Sequence, residues 1–522
     1  MKSIINSVSK TYFINRKYIY TCDEIFSYQD ELLVDLMIAN KDTFVGKKYN
    51  FEYAVNYDSF KNNVPIFHYD DYKEYIYMSV RWEDNIICSD EIDFWAKTSG
   101  TTNDYQKYIP VTKRYLENNH YKWWKDTFSN YVNSNLDTKL FEWKWIVLGW
   151  SMSKNEFTGI DNVWFISAIL QTNNNPLVKL FFTEPDQDIS FLTNRSEKID
   201  KIIDGCKCQN IVSSIWVTSR NIYLMKNMIE KLGIKYVNDI WPDYELFLTG
   251  WMNYRPLELN IRKLFSKNIN IWQAYNTSEW YFGVQLSNNS YFMQLLCCHD
   301  VYYEFLDQES YNTQNYQNIV NLHNIKNWID YVIIITNSAW LYRYVIWDTV
   351  RFFDVNNFLF EIIGRTKDYL NLFSEQLREN HTNQAISNIN AKFWINISDY
   401  HVGSIMSDRW DGSWMHYRLM EIENDDFNYL SYIYNGDNLT LSDLEQEIDN
   451  ELKKLNLFYD GKRKGDMILQ KPTLKILSKW TFYRRLQSKW KLWWQNKVPK
   501  LRNDDFILNE ILKFDNKEFI LL

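Results

Sequence analysis

The chain has 522 residues, 58 basic against 66 acidic, and a formal net charge of -8. That length buries a large core and points to two or more domains, and an acidic balance without a basic block argues against nucleic acid as a partner. No run reaches the ~18 apolar residues of a membrane span, and Met1 to Tyr12 holds no apolar stretch of signal-peptide length, so a cytoplasmic protein with no membrane partner is expected.

The first 90 residues mix short aromatic-rich helical and extended pieces, and no order can be read from them. Strand-like and helical patterns then alternate. Ile146–Leu148 is a short apolar run followed by Gly149. Ile222, Met225, Ile229 and Leu232 keep helical spacing, with Gly233 where a C-terminal cap is wanted. Tyr244–Leu248, Ile269–Ala274, Tyr291–Leu296 and Tyr331–Thr336 read as buried strands. Ser442 and Glu445 match a capping box ahead of the apolar face Leu444, Ile448, Leu452 and Leu455. The alternation predicts an α/β fold: a large N-terminal domain over 1–360 with mixed sheets flanked by helices, and a smaller C-terminal α+β domain over 361–522. The hinge is expected between Phe353 and Gly364. Six cysteines make no disulfide framework. The pairs Cys206/Cys208 and Cys297/Cys298 with His299 fit no zinc spacing and are expected to be ordinary thiols.

Five segments can carry chemistry. Lys97-Thr98-Ser99-Gly100-Thr101-Thr102 is a hydroxyl run around a glycine, followed by Lys107-Tyr108-Ile109-Pro110. Such a turn can wrap phosphate oxygens, or it can be a polar surface turn. It is not a Walker sequence. Tyr275-Asn276-Thr277-Ser278-Glu279 follows a predicted strand. Glu279 there suits Mg²⁺ on a nucleotide, and Tyr275 can stack on a base, although a strand-capping turn would look the same. Tyr342-Arg343 and Asp348 offer either a bidentate ribose contact from Asp348 or a buried Arg–Asp pair. Gly364-Arg365-Thr366-Lys367 comes next, with Glu375 shortly after. Lys497, held before Val498-Pro499, can act as a point charge on phosphate or lie on the solvated surface.

In this order the five segments resemble those of the luciferase-like adenylate-forming superfamily. Their wording, with Phe94-Trp95-Ala96, Trp241-Pro242-Asp243-Tyr244-Glu245-Leu246-Phe247, Tyr303-Glu304-Phe305 and Gln495 to Leu501, is similar to the acyl acid–amido synthetases, the family of plant auxin-responsive synthetases and their bacterial relatives. The resemblance runs from about Arg81 to Leu512. It implies ATP and Mg²⁺ as cofactors, a small-molecule acyl acid and an amine as substrates, and an acyl adenylate between two steps. It implies that Ser99, Thr101 and Thr102 hold phosphates, with Thr98 and Gly100 also in the nucleotide-binding loop. Tyr275, Thr277 and Ser278 would line the nucleotide site with Arg365, Glu279 would take the metal, and Asp348 the ribose. Lys497 would be the catalytic lysine, delivered when the small domain closes. A ligase with a thiol acceptor and a nucleotide-binding pseudoenzyme are the alternatives.

One feature departs from that family. Glycine numbers 14 and tryptophan 23, whereas ~37 glycines are usual at this length. Codon bias toward A and T accounts for abundant Asn, Ile, Lys and Tyr, but not for tryptophan. Trp82, Trp123, Trp124, Trp150, Trp216, Trp251, Trp280, Trp340, Trp347, Trp490, Trp493 and Trp494 stand where the family resemblance implies glycine, several in loop-like contexts. The pattern predicts TGA codons, glycine in the cell, translated here as tryptophan. Trp95 and Trp241 match family tryptophans and are expected to read TGG.

Overall fold

The structure, a computed structural model, describes residues 2–16, 21–81, 85–97, 107–148, 163–192, 195–250, 254, 258–288, 290–366, 369–370, 375, 377–406, 414–423, 432–434, 437–463, 469–488, 498–503 and 505–515. The N-terminal region that gave no readable pattern is helical: Lys2–Ile14, Cys22–Asn40, Phe44–Lys48, Tyr57–Asn63 and Tyr69–Val80. Thr21 starts the second helix through a capping box with Glu24. Leu32, Leu33, Leu36 and Met37 then face the main core, at 5% exposure or less.

Fifteen strands follow among the described residues of this part of the chain: β1 (Phe94–Lys97), β2 (Tyr108–Val111), β3 (Lys144–Val147), β4 (Val163–Phe165), β5 (Thr183–Glu184), β6 (Ile211–Val217), β7 (Leu246–Gly250), β8 (Asn270–Asn276), β9 (Tyr281–Gln285), β10 (Met293–Leu295), β11 (Val301–Asp307), β12 (Val320–Asn321), β13 (Asp330–Asn337), β14 (Tyr344–Asp354) and β15 (Leu359–Arg365). Twelve of them form one mixed sheet in the order β12-β11-β13-β14-β15-β10-β9-β8-β7-β6-β3-β5. From β8 to β5 the pairs are parallel. From β8 to β12 they are antiparallel. β8 is therefore the seam between the parallel and the antiparallel parts of the sheet. A smaller sheet, β2-β1-β4, stands apart.

The helix expected at Ile222–Leu232 spans Thr218–Leu232, and Gly233 follows at φ +62°. The Tyr291–Leu296 run contributes only β10. The expected boundary at 360/361 falls inside β15, which stays in the large sheet through Arg365.

After the helix Glu379–Phe393, the strands β16 (Ile397–Met406), β17 (Trp414–Ile422), β18 (Leu469–Leu477) and β19 (Leu501–Arg502) form a four-stranded sheet in the order β18-β17-β16-β19. Helix Leu441–Leu455 packs Leu444, Ile448 and Leu452 into a core with Leu474 and Ile476 of that sheet. Its cap is Thr440 with Asp443, not Ser442 with Glu445. Glu445 instead accepts the Leu474 N–H at 2.9 Å, because the helix begins one residue before Ser442 and Glu445 is left on the face toward β18. Among the described residues no helix is long and apolar enough to cross a membrane.

Candidate active site

β8 ends at Asn276 and the chain reverses into β9 through Thr277-Ser278-Glu279-Trp280. Thr277 holds that reversal. Its N–H donates to the Trp280 carbonyl at 2.9 Å, and its hydroxyl accepts the N–H groups of Glu279 (3.1 Å) and Trp280 (3.3 Å). A short hydroxyl side chain bonding its own turn fixes the backbone that carries Ser278 and Glu279 at the end of the seam.

Lys107 ties this turn to two other segments. It precedes β2, whose Tyr108 pairs with Lys97 of β1, so Lys97 and Lys107 form the base of the hydroxyl loop. The Lys107 ammonium lies 3.9 Å from the Glu279 carboxylate and donates to the Tyr344 hydroxyl at 3.0 Å. It also stands over the rings of Tyr69, Tyr344 and Trp347 at 5.3, 5.6 and 5.5 Å. Lys97 is buried, and its pKa is pushed down by that burial. Thr98, Ser99, Gly100, Thr101 and Thr102 lie outside the described residues.

Asp348 comes from β14. The Tyr275 hydroxyl donates to its Oδ2 at 2.9 Å, which joins the end of β8 to β14. Asp348 lies opposite Arg365, and Thr349 opposite Gly364, where the ladder is irregular and Gly364 has φ +153°. The Thr366 N–H donates to the Trp347 carbonyl at 2.8 Å, and the Thr366 hydroxyl is buried without a hydrogen-bond partner. The Arg365 side chain and Lys497 are outside what the structure describes. The chain resumes at Val498 beside β16, where His401 Nδ1 meets the Pro499 carbonyl at 2.6 Å.

Three expectations change. The Tyr275 ring is 1% exposed and packs on Phe282 and Phe360, so it positions Asp348 instead of stacking on a base. Strand alternation turns that side chain into the core. Arg343 pairs bidentately with Glu304, at 2.8 and 2.9 Å, and not with Asp348. Its remaining donors reach the carbonyls of Val64 and Lys61. Trp123 and Trp124 lie on the helix Tyr121–Ser134, not in a loop.

Beside the seam lies a cavity of about 690 Å³. The ends of β3, β7 and β8 open onto it through Leu148, Thr249, Gly250 and Asn276. Its walls are aromatic and aliphatic: Phe13, Trp123, Trp124, Phe128, Trp145, Leu170 and Tyr281. Among the polar residues that also line it, three stand out. His120 Nδ1, Ser167 Oγ and Gln171 Oε1 are buried without hydrogen-bond partners. Burial pushes the His120 pKa down to about 3, so the ring is neutral. Its Nε2 accepts the Trp124 indole N–H at 3.1 Å, which leaves the proton on Nδ1 as a donor. Sequence reading did not find these three, because nothing local marks them. Lys107 adjoined a recognised motif and was legible as a neighbour, though not as its anchor.

For a metal, the described site offers the Glu279 carboxylate, since Asp348 is bonded to Tyr275 and assigned elsewhere, and among the described residues no group of three His, Cys, Asp or Glu side chains is placed to hold a metal ion. One carboxylate is what Mg²⁺ uses when phosphates supply the other ligands, so Glu279 fits that ion only together with a nucleotide.

Three family models match the chain: the GH3 family N-terminal domain over 17–156, the central domain over 294–365 and the C-terminal domain over 380–505. No curated protein sequence matches it. Among solved structures, the GH3.15 acyl acid amido synthetase in complex with 2,4-DB superposes with a TM-score of 0.75 at 17% identity, covering 95% of this chain and 94% of that one. A second GH3.15 acyl acid amido synthetase structure gives 0.73 at 17% identity, covering 95% of this chain and 94% of that one. A 2-hydroxyisobutyryl-CoA ligase in the postadenylation state gives 0.56 at 10% identity, covering 92% and 90%. At these identities the likeness is one of fold.

Proposed function

The chain belongs to the GH3 family, and from that premise we propose that it adenylates an acyl acid with ATP and passes the acyl group to an amine, an amino acid being the expected acceptor. One observation carries the reading. The Glu279 turn, Asp348 and the base of the hydroxyl loop at Lys107 meet at the end of the sheet's seam, and an apolar cavity adjoins them.

In the first step a carboxylate oxygen of the acid attacks the α-phosphorus, the bond to the bridging oxygen breaks, and pyrophosphate leaves. In the second, the amine attacks the acyl carbon, AMP leaves and the amine nitrogen loses its proton. Asp348, oriented by Tyr275, holds the ribose hydroxyls. Thr98, Ser99, Gly100, Thr101, Thr102 and Ser278 supply donors to the phosphates, with Arg365 near by. Glu279 would hold Mg²⁺, which would neutralise phosphate charge when bound. Lys107 keeps the loop base against β14. Lys497 reaches the phosphates when the C-terminal domain closes, and such donors stabilise the charge that develops on the leaving group. We place the domain boundary after β15, between Arg365 and Glu379, since β15 pairs within the large sheet. The acyl group occupies the cavity, and a polar substituent on it would satisfy His120, Ser167 and Gln171. A cytoplasmic location is consistent with these soluble substrates.

The activity is proposed for a chain with glycine at the family-glycine positions beside the site, Trp280 and Trp347 among them. With indoles there, the same fold would be a nucleotide-binding protein without ligase activity. The test is exchange of pyrophosphate into ATP by the glycine form. Exchange that appears only with a carboxylic acid supports the reading, and its absence with a broad acid panel sinks it. Amino acids and CoA offered in turn separate amide from thioester formation.

A further inference from the structure

Among the described residues, ten other than glycine have positive φ: Asn50, Asn85, Asp300, Gln314, Trp328, Trp340, Arg343, Phe358, Trp394 and Trp480. Asn and Asp tolerate this region through local hydrogen bonds, whereas a bulky side chain is among those least able to enter it. Yet four of the ten are tryptophan, at φ +67°, +67°, +55° and +68°, although tryptophan makes up only 23 of 522 residues.

Each position is one that backbone rules reserve for glycine. Trp394 caps the C-terminus of the helix Glu379–Phe393 in the left-handed conformation, where glycine is the usual residue. Trp340 ends the three-residue loop 338–340 between Asn337 and Leu341, which are joined by an N–H to carbonyl bond of 3.0 Å. The last residue of such a hairpin loop is left-handed and commonly glycine. Trp480 is the third residue of the turn Ser478–Thr481, closed by a 3.2 Å bond. Positive φ at that place calls for glycine. Trp328 occupies the turn before β13.

The side chains agree with the backbone. Trp328, Trp394 and Trp480 are 66, 75 and 51% exposed, and the rings of Trp328 and Trp480 meet Phe353 and Tyr483 edge-on at the surface. Trp340 is buried, and its indole N–H has no hydrogen-bond partner. Trp145, Trp241 and Trp272 behave differently. They are buried with ordinary φ, and their indoles donate to the Leu140 carbonyl, the Cys206 carbonyl and Asn288 Oδ1.

We propose that the cellular protein carries glycine at Trp328, Trp340, Trp394 and Trp480, encoded by TGA and read as tryptophan only in the written sequence. One reassigned codon accounts for the glycine deficit and the tryptophan excess together. Three of these positions, Trp328, Trp394 and Trp480, rest on backbone geometry alone. The inference is independent of the ligase reading, since it concerns turns and a helix cap to which that reading assigns no role.

The test joins the gene to the protein. Codons at the four positions are read, and peptides spanning them are sequenced by mass spectrometry from protein purified from its native cells. TGA with glycine at all four, and TGG with tryptophan at Trp95 and Trp241, is the expected result. TGG or true tryptophan at Trp394 and Trp480 overturns the proposal. Neither measurement needs catalytic activity, so a failure of the ligase assay leaves it untouched.

Discussion

Asp348 shows what a single side chain does here. Its Oδ2 accepts the Tyr275 hydroxyl, whose own ring is locked between Phe282 and Phe360. Asp348→Ala should weaken ATP binding by roughly 1.5–3 kcal/mol, the range for hydrogen bonds to a charged group. Tyr275→Phe should cost less, since it loosens the carboxylate without removing it. Calorimetric titration of ATP into both variants decides, and unchanged affinity in Asp348→Ala would take that residue out of the site. Arg343 and Glu304 form a buried pair of another kind, 3 and 1% exposed. Glu304→Ala leaves the guanidinium buried and unpaired, which should cost about 3–5 kcal/mol in urea unfolding. A loss within 1 kcal/mol would mean that water or another group satisfies Arg343.

At the scale of elements, β17 carries a titrating group. Burial first, and then the charge of Asp399, push the Glu421 carboxyl up from 4.5 to about 7, against the Phe482 N–H, which pulls it down. A carboxyl whose pKa is higher folded than unfolded holds its proton better in the fold. Its contribution is complete below about 4.5 and is lost as pH rises through about 7. Glu421→Gln keeps an acceptor for the Phe482 N–H, which Glu421 Oε1 meets at 2.6 Å. The variant should therefore gain melting temperature over the parent between pH 5 and pH 8. An equal difference at both pH values would show that Glu421 does not titrate in that window. The hairpin β13–β14 makes a related point about local rules. Its loop has the geometry of a glycine turn with an indole at the critical place, and the helix cap at Trp394 repeats it. Local backbone and written residue disagree at positions where they should agree.

For the whole molecule, the proposed reaction calls for the large and the four-stranded sheet to cooperate across the proposed boundary after β15. If Lys497 acts as proposed, Lys497→Ala should slow adenylation far more than it weakens ATP binding, because the proposed role is confined to the closed arrangement. Pre-steady-state release of pyrophosphate measures that step, and an unchanged rate would remove Lys497 from the mechanism. The proposed acyl site in the cavity makes a further prediction. Gln171→Leu should raise the KM for acids bearing a hydroxyl or amide far from the carboxylate, and spare their unsubstituted counterparts. Each lost hydrogen bond is worth about 1 kcal/mol, a several-fold change in KM. Equal effects on both kinds of acid would mean that Gln171 shapes the wall without reading the substrate.

The sequence by itself determined what depends on neighbours along the chain. The helix ending at Gly233, the strands β7, β8 and β13, and the order of the loop, Glu279 and Asp348 segments are all legible, because periodicity, caps and turns act over a few residues. The glycine deficit was legible too, as a count. Only the tertiary structure decided the rest. Arg343 pairs with Glu304, 39 positions away, because β13 sets β11 and β14 at a fixed register. Lys107 joins the site because β2 returns the loop base to β14. His120, Ser167 and Gln171 meet around one cavity although no pattern links them. The N-terminal helices gave no signal because their aromatic-rich faces mask the period that burial later reveals. In each case the deciding term is burial or register between distant segments, and neither is written in local spacing.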